Sequence, residues 1–266
     1  MLPAATPSAY GRGSIVPVCL LALAVAALAA SVALLVADRL EQREFDSLVQ
    51  RAQATRPGLP RPSDADVLHL MHTVHNQLQG TPLHPSSSLN SRLNITSSHE
   101  QLANPSGMCA SYSHVLAKAL MTAGYQVRKV GLAKNGKRAI HHVIEARQGS
   151  SWTLLDAYYD LAYRAPDGHL ASAADVSRHW TTYRRQVPAG YNPDFDYSSF
   201  YYTNWDRIPV VGWIVRASPP LASWLHERGI SIRFWFFNTY RWQAGLCAAL
   251  GILCLALRHS YRRSCR

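Results

Sequence analysis

The feature that most constrains this chain is an uncharged stretch rich in Ala, Leu and Val over residues 15–37. As a helix it measures about 35 Å at about 1.5 Å per residue, enough to cross a hydrocarbon core of about 30 Å. A retained membrane anchor is the favoured reading. A cleaved signal peptide competes with it, because Ala27-Leu28-Ala29 resembles a processing site, but the run continues to Val36, beyond the usual length of a signal core. A second apolar stretch, residues 242–257, is short for a crossing. Phe234, Trp235, Phe236, Phe237 and Tyr240 lead into it like an interfacial belt, which favours a second membrane helix over a buried core helix.

The flanking charges set an orientation. Arg12 precedes the first stretch, and a mixed set (Asp38, Arg39, Glu41, Arg43, Glu44) follows it. Arg258, Arg262, Arg263 and Arg266 follow the second. The positive-inside tendency puts both termini in the cytoplasm and the intervening domain on the far side of the membrane. The expected organisation is a short cytoplasmic N-terminus (1–14), a membrane helix (15–37) and a linker (38–62). A central domain (63–186), an aromatic-rich extension (187–241), a second membrane helix (242–257) and a basic tail (258–266) follow.

The net charge of +11 raises the question of nucleic acid. No zinc spacing, basic helix or RNA-binding motif accompanies it, so a nucleic-acid partner is not expected. A basic exterior instead suits anionic partners such as acidic glycans or lipid headgroups. Of the five cysteines, Cys19, Cys247 and Cys254 lie in the apolar stretches and Cys265 in the tail. Cys109 is therefore alone in the intervening domain and has no disulfide partner there.

Within that domain, the prolines of residues 54–62 argue for an extended connection. Ser63, with Asp64 and Asp66 behind it, starts a helix that runs to about Leu78 on an apolar stripe of Val67, Leu70, Met71, Val74 and Leu78. His69, His72 and His75 share one face of it. No cysteine or carboxylate visibly completes a metal set, so a polar face is preferred and no metal is expected. Asn94-Ile95-Thr96 matches the glycosylation pattern, a match that is common by chance.

The chemistry-bearing segment begins where turn formers, residues 104–107, lead into Cys109 and a helical pattern that Gly124 ends. Cys109 is thus expected in a first helical turn, where unpaired N–H groups and the helix dipole favour a thiolate. Three antiparallel strands should follow: 126–133, then 138–146 after the Asn135-Gly136 turn, then 152–156 after Gln148-Gly149. With a two-residue loop at Gln148-Gly149, His141 stands opposite Asp156 on one face and His142 points to the other. A three-residue loop would bring His142 to Asp156 instead. His141 is preferred, with His142 as the alternative base.

In chemical terms Cys109 would attack an acyl carbon, the histidine would take and return the proton, and Asp156 would orient the histidine. The Cys109 N–H could stabilise an oxyanion, with Gln101 and Asn104 as nearby supporting candidates. Such chemistry requires no cofactor.

These residues resemble the transglutaminase-like superfamily. The likeness is carried by Gly107-Met108-Cys109-Ala110-Ser111-Tyr112, by Gly124-Tyr125-Gln126-Val127-Arg128, by His141-x-x-x-Glu145 and by Trp152-x-x-x-Asp156. The family pattern has a cysteine at a helix start, then a His-x-x-x-Glu strand, then a Trp-x-x-x-Asp strand. The resemblance implies an α+β, papain-like core in which the nucleophile helix packs on an antiparallel sheet. It implies acyl transfer through a thioester from a protein or peptide donor, by hydrolysis or by transglutaminase-type transfer. Val143 stands where members often have tryptophan, and Ala157 where they often have proline, so donor and acceptor stay open. A catalytically silent binding or scaffold module for envelope or polysaccharide assembly is the alternative.

The C-terminal third is crowded with aromatic residues, among them Tyr191, Phe195, Tyr197, Trp213 and Trp224. They read either as packing and interfacial residues or as platforms for an envelope glycan or a peptide. Ser172 and Asp175 predict a capped helix to about Gln186.

Overall fold

A computed structural model describes residues 15–58, 63–81, 96–105, 109–134, 138–202, 209–227 and 238–264. Asn94, the Asn135-Gly136 turn and Phe234 to Phe237 lie outside these residues. The chain forms two compact units, one made from its two ends (1–40 with 240–266) and one from residues 41–239.

The terminal unit consists of the first part of α1 (Ile15–Ala54) and the last helix, α9 (Thr239–Ser264). Within it the two helices are antiparallel. Arg241 donates to Asp38 at 3.0 Å, and Ser31 Oγ donates to the Ala244 carbonyl at 2.9 Å. Further along, a side-chain carbon at Gly251 would meet Leu28 at 2.9 Å. Close approach at small residues and an interhelical hydroxyl contact are the means by which apolar helices associate in lipid. Outward-facing Val18, Leu23, Val25, Val32, Leu246, Ile252 and Leu253 are exposed, a surface that suits lipid rather than water. Both helices are long and apolar enough to span a membrane.

One boundary differs from expectation. Residues 38–54, read as linker, continue α1 without a break. Phe45, Leu48, Val49 and Ala52 of this stretch are buried in the core of the second unit, and Glu41 is buried on the same stripe, 3.3 Å from the Lys118 ammonium. A charged composition ended the apolar stretch without ending the helix, because α-helix formation needs only a continuous buried stripe.

The second unit is an α+β fold around a five-stranded antiparallel sheet of order β4-β3-β2-β1-β5. The strands are β1 (Gln126–Lys134), β2 (Arg138–Gln148), β3 (Ser151–Asp156), β4 (Leu161–Ala162) and β5 (Phe200–Tyr201). Alternation along the strands sorts their residues onto two faces. Val127, Ile144, Ala146 and Leu155 pack with α1, with α2 (Asp64–Gln79) and with α4 (Cys109–Thr122). Val130, Leu132, Val143 and Leu154 pack with Tyr163, Ala171, Val176, Tyr183 and Tyr197 from the C-terminal segments.

Ser63 caps α2 by accepting from the Asp66 N–H at 3.1 Å. Ser97 does the same for Glu100 at the start of α3 (Ser98–Ala103). Gly124, at φ 91°, lets the chain leave α4 through a left-handed residue and enter β1. Ser172 and Asp175 form the expected capping box of α5 (Ala173–Arg178). That helix is shorter than expected: His179 breaks it, and α6 (Trp180–Tyr183) and a 3-10 turn to Gln186 follow.

The three histidines of α2 diverge to separate tasks. His69 Nε2 contacts the Ala52 carbonyl at 2.8 Å, His72 Nδ1 meets Asp160 at 2.6 Å, and His75 Nδ1 meets the Ala157 carbonyl at 2.9 Å. They tie α2 to α1 and to the segment after β3. Among the described residues no group of His, Cys, Asp or Glu converges as a metal site.

Candidate active site

The site forms where the first turn of α4 meets β2. Cys109 opens the helix, and most of the helix behind it is buried. Two contacts hold this turn. Ser111 Oγ donates to Gln101 Oε1 at 2.6 Å, and Ser113 Oγ donates to the His142 carbonyl at 2.5 Å. The second pins the helix to the strand beside His141.

The β2–β3 turn is Gly149-Ser150, with Gln148 paired to Ser151 and Ile144 to Leu155. The expected loop was one residue earlier, and the pairing therefore moves by two residues. His141 and Asp156 are diagonal neighbours rather than directly opposed. A shift of two preserves the face, because side chains repeat every second residue, and diagonal neighbours remain within reach of long or aromatic side chains. His141 Nε2 lies 2.6 Å from Asp156 Oδ2. His142, the alternative partner, is not the residue brought to Asp156.

A β-bulge sits at this point. Leu132 pairs with His141 and Ala133 with Ala139, so Ile140 is an extra residue on β2. Bulges bend a strand and re-aim the neighbouring side chain, and here the neighbour is His141.

Asp156 is fully buried. Its Oδ2 also receives the Tyr197 hydroxyl at 3.4 Å, and its Oδ1 receives the Tyr159 N–H at 3.4 Å. The imidazole of His141 is fully buried as well. Its second nitrogen, Nδ1, makes no fully formed hydrogen bond to protein. Cys109 lies close enough to the ring for each group to shift the other's titration.

Electrostatics favour charge separation between the two. Burial pushes the Cys109 thiol up, but four influences outweigh it and hold the thiol below its ordinary value: the hydrogen bond and charge of His141, the His142 backbone, and the Lys129 ammonium. Burial pulls His141 down, yet the Asp156 carboxylate and the Cys109 sulfur push it up to about 9. The two groups titrate as a pair, and their coupling favours the thiolate together with the imidazolium.

Gln101 donates its amide N–H to Thr96 and accepts from Ser111, so both ends of its side chain are engaged in positioning the helix start. Asn104 is exposed at the C-terminal cap of α3. Among the described residues neither makes a hydrogen bond to Cys109.

Three features were not read from the sequence. Phe195 stacks on the imidazole, and Tyr159 and Tyr158 meet its edge at 5.9 and 6.2 Å. Tyr197 supports Asp156. Glu145 and Trp152, the other members of the two strand motifs, meet at Arg128 on the same face of the sheet. Arg128 Nε donates to Glu145 at 2.6 Å, and its guanidinium lies 3.9 Å from both the Trp152 and Tyr202 ring centres. Glu145 also accepts from the Ala173 N–H at 2.6 Å, which fixes the start of α5. Cross-strand pairing of Arg128 with Glu145 follows from the hairpin register. The arrival of Phe195 and Tyr197 from a distant irregular segment has no periodic signal.

No family model matches the chain, and no curated protein or solved structure is detectably similar to it.

Proposed function

We propose that this chain is a membrane-anchored, thiol-dependent acyl-transfer enzyme of the transglutaminase-like kind. The observation that carries the reading is the electrostatic coupling of Cys109, at a helix start, to the imidazole of His141, which the buried Asp156 carboxylate holds at 2.6 Å. The Cys109 thiolate attacks an amide or isopeptide carbon, and the C–N bond breaks as His141 Nδ1–H protonates the leaving amine. The acyl group is left on sulfur as a thioester. Water or an amine then attacks, passes its proton to His141 and releases a carboxylic acid or a new amide. Asp156 stabilises the imidazolium throughout. The backbone N–H of Cys109, at the helix start, is available to the developing oxyanion.

The acyl donor is a protein or peptide. The working location is the periplasmic face of the inner membrane, with both termini cytoplasmic. The antiparallel arrangement of the two apolar helices supports termini on one side, since residues 15 and 264 lie at the same end of that unit.

Full burial of the His141 ring beneath Phe195 favours a second reading, a silent module that keeps the array for folding and organises envelope polysaccharide or protein assembly. Peptide and glutamine-amide substrates, assayed with the full chain and with Cys109→Ala, separate the two. Release of ammonia or cleaved peptide that Cys109→Ala abolishes supports the enzyme. An unactivated thiol, insensitive to His141→Ala, overturns it.

A further inference from the structure

The second unit carries an apolar surface that its core does not use. In α7 (Pro209–Ala217) Gly212 and Val215 face inward, while Val210, Trp213, Ile214, Arg216 and Ala217 face out. The apolar outward residues fall at i, i+3, i+4 and i+7, the spacing of one helical stripe, with Arg216 on its margin. Val210 is 70 % exposed, Trp213 68 % and Ile214 44 %. The next helix, α8 (Pro219–Glu227), adds Pro220 and Trp224, the latter 44 % exposed. A water-facing helix places polar residues at these positions. Here the polarity is inverted.

The chain itself limits what can cover this stripe. α8 ends at Glu227 and the membrane-length helix α9 begins at Thr239. Even fully extended, that connection reaches about 40 Å. Eleven residues of chain therefore separate α8 from an apolar helix whose own surface suits lipid. The apolar phase always present within that reach is the bilayer interface. Tryptophan is the side chain best suited to it, with an apolar ring body and a polar N–H that sits at headgroup level. An amphipathic helix lying in the plane of the interface buries such a stripe to a shallow depth.

We propose that α7 and α8 form an interfacial docking element, with Val210, Trp213, Ile214 and Trp224 inserted at headgroup depth in the bilayer that anchors the chain. This rests on the membrane part of the proposed function and is independent of the thiol chemistry. The element fixes the catalytic unit against the lipid surface. It is distinct from the spanning helices, because it binds in the plane rather than across it.

The test uses the full chain reconstituted in phosphatidylcholine–phosphatidylglycerol vesicles. Tryptophan emission is measured with lipids brominated either near the headgroup end or near the bilayer centre. The Trp213→Phe/Trp224→Phe double variant isolates the two residues by difference, and Trp242→Phe isolates a residue of α9. Docking predicts loss of most of the Trp213/Trp224 emission with the shallow label and a smaller loss with the deep one. If the Trp242 emission is quenched but that of Trp213 and Trp224 is not, the stripe faces water or protein, and docking is overturned while the anchor stands. If neither is quenched, the anchor reading fails and docking with it. Quenching protection that appears only at high protein-to-lipid ratio identifies a second copy as the occupant and also overturns the proposal.

Discussion

Phe195 lies face to face with His141, with ring centres 4.2 Å apart and planes 7° from parallel. The aromatic face is electronegative, so this stack is more favourable for the imidazolium than for the neutral ring. It also covers one face of the buried imidazole. Phe195→Leu should therefore raise the pH at which Cys109 becomes alkylatable by iodoacetamide, while Phe195→Trp should keep it near the wild-type value. An unchanged profile for both would limit Phe195 to packing.

Asp156→Asn removes the charge that pushes His141 up to about 9. The imidazolium should then lose its proton nearer 6.5, and the thiol should drift back up. The reactive thiolate fraction near neutral pH should then fall. Alkylation rates at pH 6 to 8 in Asp156→Asn against wild type read this directly, with His141→Ala as the limiting case.

The pH dependence of stability has a definite sign. His141 has a folded value above its unfolded one, so its contribution is fully present below about 6.5 and is lost as pH rises through about 9. Chemical denaturation of the full chain in detergent micelles should show this loss in wild type and not in His141→Ala. Turnover that needs the imidazolium as acid should decline on the same alkaline limb.

The Arg128–Glu145 pair is buried between Trp152 and Tyr202. Glu145→Gln leaves a guanidinium buried without its counter-charge and should cost about 3–5 kcal/mol. Arg128→Met with Glu145→Leu removes both charges and should be less destabilising than the single change. Thermal melts of the three proteins check the order.

In the terminal unit, Ser31 and Ala244 face one another across the helix pair. In a background lacking Cys19, Cys247 and Cys254, Ser31→Cys with Ala244→Cys should cross-link readily under mild oxidation. Adding Gly251→Leu, which would collide with Leu28, should reduce the yield.

Much of the architecture is legible along the chain because it is periodic. The Ser63 cap, the apolar stripe of α2, the helix start at Cys109 and the three strands are local patterns. The placement of His141 and Asp156 on one face tolerates a loop displaced by one residue, because the register then moves by two and strand side chains repeat every second residue. Oxyanion support by Gln101 or Asn104 was less legible, since Gln101 is engaged by Thr96 and Ser111. That competition is set by packing around α3 and α4.

By itself the sequence determined the helix that Ser63 caps, the helix start at Cys109, the three strands, which strand face carries His141, Glu145, Trp152 and Asp156, and where lipid-compatible helices stand. These are short-range consequences of side-chain spacing and hydrophobicity. Only the tertiary structure decided that Phe195 closes over the imidazole, that Tyr197 reaches Asp156, that Arg128 joins the two strand motifs and that α1 continues into the core. Each brings together groups far apart in the chain, and no local period encodes such a meeting. Burial of one apolar surface against another selects it.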